Sequence, residues 1–355
     1  MIRIGVNALY LIPGGVGGTE IYLRNLLRAL SEIDAENQYV VFTNRETGAD
    51  LVPDRPNFAP APQPVHAAFR PARMLWEQLV LPFVIRKHRV HVLLNPGFTA
   101  PLACARPMVT VFHDLQHKRH PEYFRWFDLP FWNLFLWSAV RRSRGLIAVS
   151  QATADDLERY YGRSAQVIHH GVEREFFRIA ERREPGNYLL CVSTTHPHKN
   201  LQRLLRVHAQ TRAQNNVAPR LVLTGVRGFA ARQIESLASE SVELTGWLPR
   251  EQLYELYRGA LGFIYPSTFE GFGMPVLEAM AAGVPVACSD IPPLREIARS
   301  TVHFFDPASD REIRDALLLL ASGKLSTEPA QRRAADFSWE KTARATLDYL
   351  SKCSS

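Results

Sequence analysis

Short apolar runs rich in Val, Ile, Leu and Phe alternate with amphipathic stretches along the whole chain. Apolar runs bounded by turn residues read as buried strands, and the stretches between them as helices. This pattern predicts strands at 2–7, 38–43, 90–94, 108–112 and 145–149. A second series follows at 188–193, 220–225, 241–244, 261–265 and 284–288. After the first strand, Leu23, Leu26, Leu27 and Leu30 fall at i, i+3, i+4 and i+7, which puts an apolar stripe on one helical face. Thr19 fits as the N-cap of that helix. The stretch 53–71 carries Pro53, Pro56, Pro60, Pro62, Pro64 and Pro71 and reads as an extended, irregular connection.

Strand–helix alternation of this kind implies an α/β fold with parallel sheets. A chain of 355 residues exceeds what one hydrophobic core usually supports, so two domains are expected. The charged segment 174–187, ending in Pro185-Gly186-Asn187, is the best boundary. The expected architecture is two facing Rossmann-like, doubly wound domains, 1–178 and 187–337. Ligands in such sheets sit at the carboxyl ends of the strands, so a cleft between the halves is the expected site.

Composition changes this picture little. A hydrophobic fraction of 46% with 22% charged residues is ordinary for a folded protein. The net charge of +7 suits an anionic partner such as a nucleotide or a phospholipid surface. No nucleic-acid module accompanies it, so no nucleic-acid partner is expected. Cys104, Cys191, Cys288 and Cys353 show neither metal-ligand nor paired spacing, which fits a reducing compartment. The chain opens on a strand-like run, Ile2 to Val6, with no charged leader and no long apolar span. A cytoplasmic location is the expectation.

Two glycine-rich turns carry the candidate chemistry. Pro13-Gly14-Gly15-Val16-Gly17-Gly18-Thr19-Glu20 joins the first strand to its helix. Strand, glycine turn and helix start together can hold an anion on backbone N–H groups. The spacing is neither the dinucleotide fingerprint nor a P-loop, and Glu20 would repel a phosphate. Its carboxylate should therefore point away, hold a hydroxyl, or hold the turn itself. The second turn lies in Glu270-Gly271-Phe272-Gly273-Met274-Pro275-Val276-Leu277-Glu278, between a strand and a helix that Gly283 ends. Amides of Phe272, Gly273 and Met274 suit a diphosphate at a helix N-terminus. Glu270 and Glu278 do not share a helical face; each is placed to accept hydrogen bonds from a diol.

The Glu270–Glu278 segment resembles the E-x7-E signature of the retaining GT-B-fold glycosyltransferases of family four. Gly17-Gly18-Thr19-Glu20 resembles that family's N-terminal loop, and Phe112-His113-Asp114 its His-Asp element. Ile147-Ala148-Val149-Ser150 and His170-Gly171-Val172-Glu173 follow in the family's order. Next come the lysine loop, Thr194-Thr195-His196-Pro197-His198-Lys199-Asn200-Leu201, and Phe337-Ser338-Trp339-Glu340. The resemblance implies that Glu270 binds donor-sugar hydroxyls, Glu278 the ribose and Lys199 the diphosphate, with His113 beside the donor sugar. Asp114 has a less defined role. It also implies a final helix, 338–355, that crosses back to the first domain. Thr194 stands where many members have an arginine, and Arg227 is the expected substitute cation. His170 stands in place of the usual Asn and puts the local turn in question.

The implied reaction is transfer of a hexose from a nucleotide sugar to a saccharide or lipid-linked acceptor in cell-surface polysaccharide synthesis. No D-x-D motif is present, so neither a metal nor another cofactor is expected. Front-face attack on an oxocarbenium-like centre is the favoured route. The Pro197–Leu201 loop is similar to that of many polysaccharide and lipopolysaccharide mannosyltransferases, which favours GDP-mannose, with a UDP-hexose next. A nucleotide-sugar epimerase of the same fold, or a non-catalytic two-domain sugar-binding module, are the alternatives. Residues 123–137 are exceptionally aromatic, and Arg141, Arg142 and Arg144 follow. They read either as a core helix with a basic end or as contact with an anionic membrane.

Overall fold

A computed structural model of the chain describes residues 1–15, 17–47, 51–215 and 218–354. The fold divides into two compact units, Met1–Gly171 with Trp339–Ser355, and Val172–Ser338. In the first unit the order is β1 (Arg3–Asn7), α1 (Gly18–Ile33), β2 (Gln38–Thr43), β3 (Phe58–Pro62), α2 (Arg70–Leu79) and α3 (Leu81–Lys87). It continues with β4 (Val92–Asn95), β5 (Met108–Phe112), α4 (Gln116–Arg119), α5 (Leu129–Arg142), β6 (Gly145–Ala148), α6 (Gln151–Tyr161) and β7 (Gln166–Val167). The strands form one sheet in the order β3-β2-β1-β4-β5-β6-β7, parallel throughout. Winding reverses between β1 and β4, so the carboxyl edge of those two strands is the switch point where such sheets bind ligands.

The second unit contains α7 (Arg174–Ala180), β8 (Tyr188–Val192), α8 (Leu201–Asn215), β9 (Arg220–Thr224), α9 (Ala231–Leu237), β10 (Val242–Gly246) and α10 (Arg250–Gly259). After these come β11 (Gly262–Tyr265), α11 (Met274–Ala281), β12 (Val286–Ser289), α12 (Pro292–Ala298), β13 (His303–Phe305), α13 (Asp310–Ala321) and α14 (Glu328–Ala334). Its parallel sheet runs β10-β9-β8-β11-β12-β13, with the switch point between β8 and β11. The chain then returns to the first unit in α15 (Trp339–Ser354), which packs on α1. Each unit is thus a Rossmann-like domain.

The described residues depart from the sequence pattern at four places. The proline-rich stretch contains β3, paired in parallel with β2 at the sheet edge. An edge strand can spare the N–H groups that Pro60 and Pro62 lack. β7 and β13 are short and fall below the run length that the pattern detects. Thr19 is not the N-cap: α1 begins at Gly18, Gly17 caps it with φ 60° and ψ −128°, and no side chain does so. That backbone geometry is open to glycine, and it turns the chain into the helix before Thr19 is reached. Finally, the charged segment 174–187 opens with α7, whose Phe176 and Ile179 are buried in the second unit. The division therefore falls after Gly171 and not near 178. The charges, such as the Arg178–Glu175 pair, line the outside of a packed helix.

The aromatic segment divides by face. Leu136, Ala139 and Val140 of α5 join a core cluster with Leu81 and Ile85 of α3. Phe127, Phe131, Leu134 and Trp137 are exposed in a second stripe that runs into Arg141 and Arg142. Leu75, Leu79 and Phe83, leading to Arg86 and Lys87, repeat this arrangement along α2 and α3. The core-helix reading therefore covers one face only.

Candidate active site

In the second unit the loop after β8 and the loop after β11 meet at the switch point. Backbone N–H of Thr268 donates to the His198 carbonyl at 2.8 Å, and the hydroxyls of Thr268 and Ser267 donate to the same oxygen. Asn200 adopts φ 56° and donates to the Pro307 carbonyl, which turns the chain sharply from the lysine loop into α8. This brings Lys199 Nζ to 2.6 Å from Glu270 Oε1, with the side chains 12% and 10% exposed. Lys199 Nζ also donates to the Tyr265 hydroxyl at 3.3 Å. Burial, reinforced by the Glu270 charge, holds the Tyr265 phenol well above its ordinary pKa, so it stays protonated. A cation and an oxygen acceptor side by side suit a ligand that presents an oxyanion and a hydroxyl together, as a sugar phosphate does.

The same loop leads to α11. Gly273 is its N-cap at φ +107°, and no side chain caps the helix. A Cβ on Gly273 would lie 2.3 Å from Leu294 Cδ2, so both conformation and space demand glycine. The amides of Gly273 and Met274 precede the point where intrahelical bonding begins, and the helix dipole adds positive potential there. Phe272 is buried against Phe337. Glu270, Lys199, Phe272, Gly273 and Met274 therefore belong to one edge of one sheet.

Glu278 lies in a separate network that the sequence did not disclose. Its carboxylate accepts from Arg250 at 2.8 Å and from the Tyr257 hydroxyl at 3.0 Å. Arg250 also pairs with Glu173 at 2.6 Å, and the Tyr254 hydroxyl donates to Glu173 at 2.5 Å. Burial pushes the Glu278 carboxyl up, against the lowering pull of Arg250. Burial opposes the charge of Arg250 as well, but Glu278 and Glu173 outweigh it and hold the guanidinium protonated. Glu173 was visible in the His170-Gly171-Val172-Glu173 element. Arg250, Tyr254 and Tyr257 stand in no motif; their pairing emerges only when α10 packs against α7 and β8.

Thr194 lies at the end of β8, where its carbonyl accepts from the Ser193 hydroxyl. The loop after β9 is pinned beside it: Thr195 N–H donates to the Val226 carbonyl, and Gly228 N–H to the Thr195 hydroxyl. Arg227 turns outward to Glu235 of α9, at 2.6 Å in an exposed ion pair. Its guanidinium is thus paired on the surface with Glu235.

In the first unit Glu20 holds the glycine turn itself, accepting from Gly14 N–H and from Arg24, both at 2.8 Å. Gly17 and Gly18 form the cap and the first residue of α1. His113 follows β5 and is buried, its Nε2 2.9 Å from the Pro96 carbonyl. A carbonyl can only accept, so Nε2 carries the proton and Nδ1 keeps a lone pair. Rings of Tyr22, Phe98 and His170 surround it at 5.0, 5.2 and 5.5 Å. His170 also stacks on Trp339, which gives this departure from the resemblance a packing role. Asp114 accepts from Gln116 N–H at 2.9 Å and so shapes the entry to α4.

Burial lowers the His113 pKa to about 4, although the Pro96 bond opposes this. A step that uses its neutral ring should therefore show no titration near 6.5. The His113-dependent part of the rate should stay level as pH falls from 8 to 5 and drop only toward 4. A His113-dependent inflection near 6.5 in the pH–rate profile, absent from His113→Asn, would contradict this.

The sequence matches the family model described as "Glycosyltransferase Family 4" over residues 16–176, and "Glycosyl transferases group 1" over 172–336. The chain belongs to glycosyltransferase family four. This family-four glycosyltransferase is 26% identical to O-antigen chain mannosyltransferase B of Escherichia coli, over 78% of the chain and 77% of the relative. It is 24% identical to O-antigen chain mannosyltransferase RfbU of Salmonella typhimurium, over 67% of each. Among solved structures, sucrose-phosphate synthase from Thermosynechococcus elongatus superposes with a TM-score of 0.78 at 19% identity, over 99% of both chains. Anabaena HepE in complex with UDP and glucose gives 0.74 at 18% identity, over 99% and 100%. These neighbours identify the fold of the glycosyltransferase as GT-B.

Proposed function

We propose that the chain transfers a hexose, with mannose favoured, from a nucleoside diphosphate sugar to a saccharide or lipid-linked acceptor, with retention at the anomeric carbon. The observation that carries this reading is the Lys199–Glu270 pair beside the N-terminus of α11 at a switch point. Lys199 and the first amides of α11 neutralise the departing diphosphate, which is the largest electrostatic demand of the reaction. Glu270 accepts from sugar hydroxyls, and Glu278, held in orientation by Arg250 and Tyr257, from the ribose. His113 accepts from a sugar hydroxyl at Nδ1. Charge neutralisation by lysine and backbone needs no metal. The acceptor hydroxyl attacks from the face that the diphosphate leaves, and the leaving phosphate takes its proton. Names of the O-antigen mannosyltransferase relatives support mannose and polysaccharide assembly.

Incubation with a panel of GDP-mannose, UDP-glucose, UDP-galactose and UDP-N-acetylglucosamine tests this. Slow nucleotide release from one donor, unchanged by EDTA, is expected; no release from any donor overturns the reading.

We further propose that the first unit rests on anionic membrane through the stripes of α5 and of α2 with α3. Aromatic and aliphatic side chains ending in arginines and lysines match an interface carrying anionic lipid. No helix among the described residues is long and apolar enough to cross a membrane. In flotation, vesicles containing phosphatidylglycerol should carry the protein and pure phosphatidylcholine should not. Phe131→Ser with Trp137→Ser should abolish most of that binding. Equal recovery with both vesicle types would count against the proposal.

A further inference from the structure

The switch point of the first unit holds a second polar cluster, for which the donor chemistry has no use. Asn7 ends β1 and Asn95 ends β4, and the Asn7 amide donates to Asn95 Oδ1 at 3.1 Å. Beyond β4, Thr99 donates its hydroxyl to Glu77 Oε2 at 3.0 Å. Glu77 also accepts from the Gln78 amide at 3.4 Å. It is 1% exposed and projects from α2, as does Arg73 one turn earlier, which is 8% exposed. The helix is fixed over this edge by Trp76, which donates to Gln63, and by Gln78, which bonds Ala100 and Leu102.

Arg73 is the anomaly. Its Nε is buried without a hydrogen-bond partner, and among the described residues no carboxylate lies in ion-pair range of its guanidinium. Glu77 is near enough to be felt through space, but its hydrogen bonds come from Thr99 and Gln78. A buried guanidinium nitrogen left without an acceptor is costly, because water is removed from it and nothing replaces it. Its planar fork of donors matches phosphate or carboxylate oxygens. The loop between β4 and Thr99 is shaped for close approach. Phe98 is held at φ +70°, and a Cβ on Gly97 would meet the Tyr10 ring at 2.3 Å. Strained backbone of this kind persists where the surroundings enforce it, commonly at functional sites.

We propose that Arg73, oriented beside Glu77 at the β1/β4 switch point, binds an oxyanion of the acceptor, a phosphate or a carboxylate. The acceptor's role rests on the transferase reading above; the anion site itself does not. Arg73 is a binding residue here, and Glu77 a positioning residue that fixes α2 to Thr99.

Arginine Nε-selective NMR on the full chain reads the site directly, the Arg73 signal being the one absent from Arg73→Gln. Methyl phosphate, acetate and methyl α-mannopyranoside are titrated separately. A saturable shift of the Arg73 signal with methyl phosphate or with acetate is expected, and the stronger of the two identifies the oxyanion. The neutral mannoside should leave it unmoved. Calorimetry with the stronger anion should show that binding weakens about 10- to 100-fold in Arg73→Gln, and less in Arg73→Lys, which keeps the charge. An Arg73 signal indifferent to both anions, or unchanged affinity in both variants, overturns the proposal. Failure of the donor reading would appear separately, as absence of nucleotide release, which this titration does not measure.

Discussion

Lys199→Gln lowers nucleotide release from the active donor about 100- to 1000-fold, the usual consequence of removing one preorganised donor to a developing oxyanion. The expectation rests on how little else can do this work. Thr194 occupies the position of the usual arginine, and Arg227 is engaged by Glu235 on the surface. In the proposed reaction Lys199 and the N-terminus of α11 therefore carry most of the diphosphate charge. Glutamine keeps much of the side-chain volume, so the fold should survive. Glu270 would then lack its partner at 10% exposure, so Lys199→Arg, which keeps the charge, is the control. If Lys199→Arg retains clearly more of the rate than Lys199→Gln, the loss comes from the cation and not from a disturbed loop. Single-turnover measurement of released nucleotide gives the comparison.

Arg250→Ala is expected to have the largest effect on stability. One guanidinium holds two carboxylates, Glu278 at 2.8 Å and Glu173 at 2.6 Å, and its Cζ lies over the Phe176 ring, 5.0 Å from the centroid. Removing it strands two like charges in a low-dielectric pocket. Breaking a buried pair costs about 3–5 kcal/mol, and the 24% exposure of the Arg250 side chain places this site toward the lower end. Urea unfolding should show a fall of about that size in the second unit's transition. Arg250→Ala with Glu278→Gln should recover part of it. A shift below about 1 kcal/mol would mean that the carboxylates find water or protons at little cost.

The sequence disclosed those parts of the molecule whose signal is local. Strand periodicity located most of both sheets, and Gly273 was legible because a loop-to-helix turn needs a residue free of a Cβ. Lys199 and Glu270 were legible as residues, yet their 2.6 Å pairing was not, since it depends on Ser267 and Thr268 bonding the His198 carbonyl. Arg250 was missed for a related reason. A helix-start arginine is usually solvated, and only the packing of α10 turns it into the hub between Glu173 and Glu278. Arg73 and Glu77 escaped notice because their spacing is that of an ordinary surface pair on a helix. Burial at the end of β4 gives them a different meaning. In the other direction, the proline-rich stretch concealed β3, because proline is tolerated where only one neighbour must be paired.

The central claim is that the β8/β11 switch point holds the diphosphate of a sugar nucleotide through Lys199 and the start of α11. Equilibrium binding of GDP-mannose and UDP-glucose to the intact protein, compared with Lys199→Gln, tests it most directly. One donor should bind saturably, at one site per chain, with affinity reduced at least about tenfold in the variant. Undiminished binding by Lys199→Gln, or no binding of either donor by the intact protein, would contradict the account.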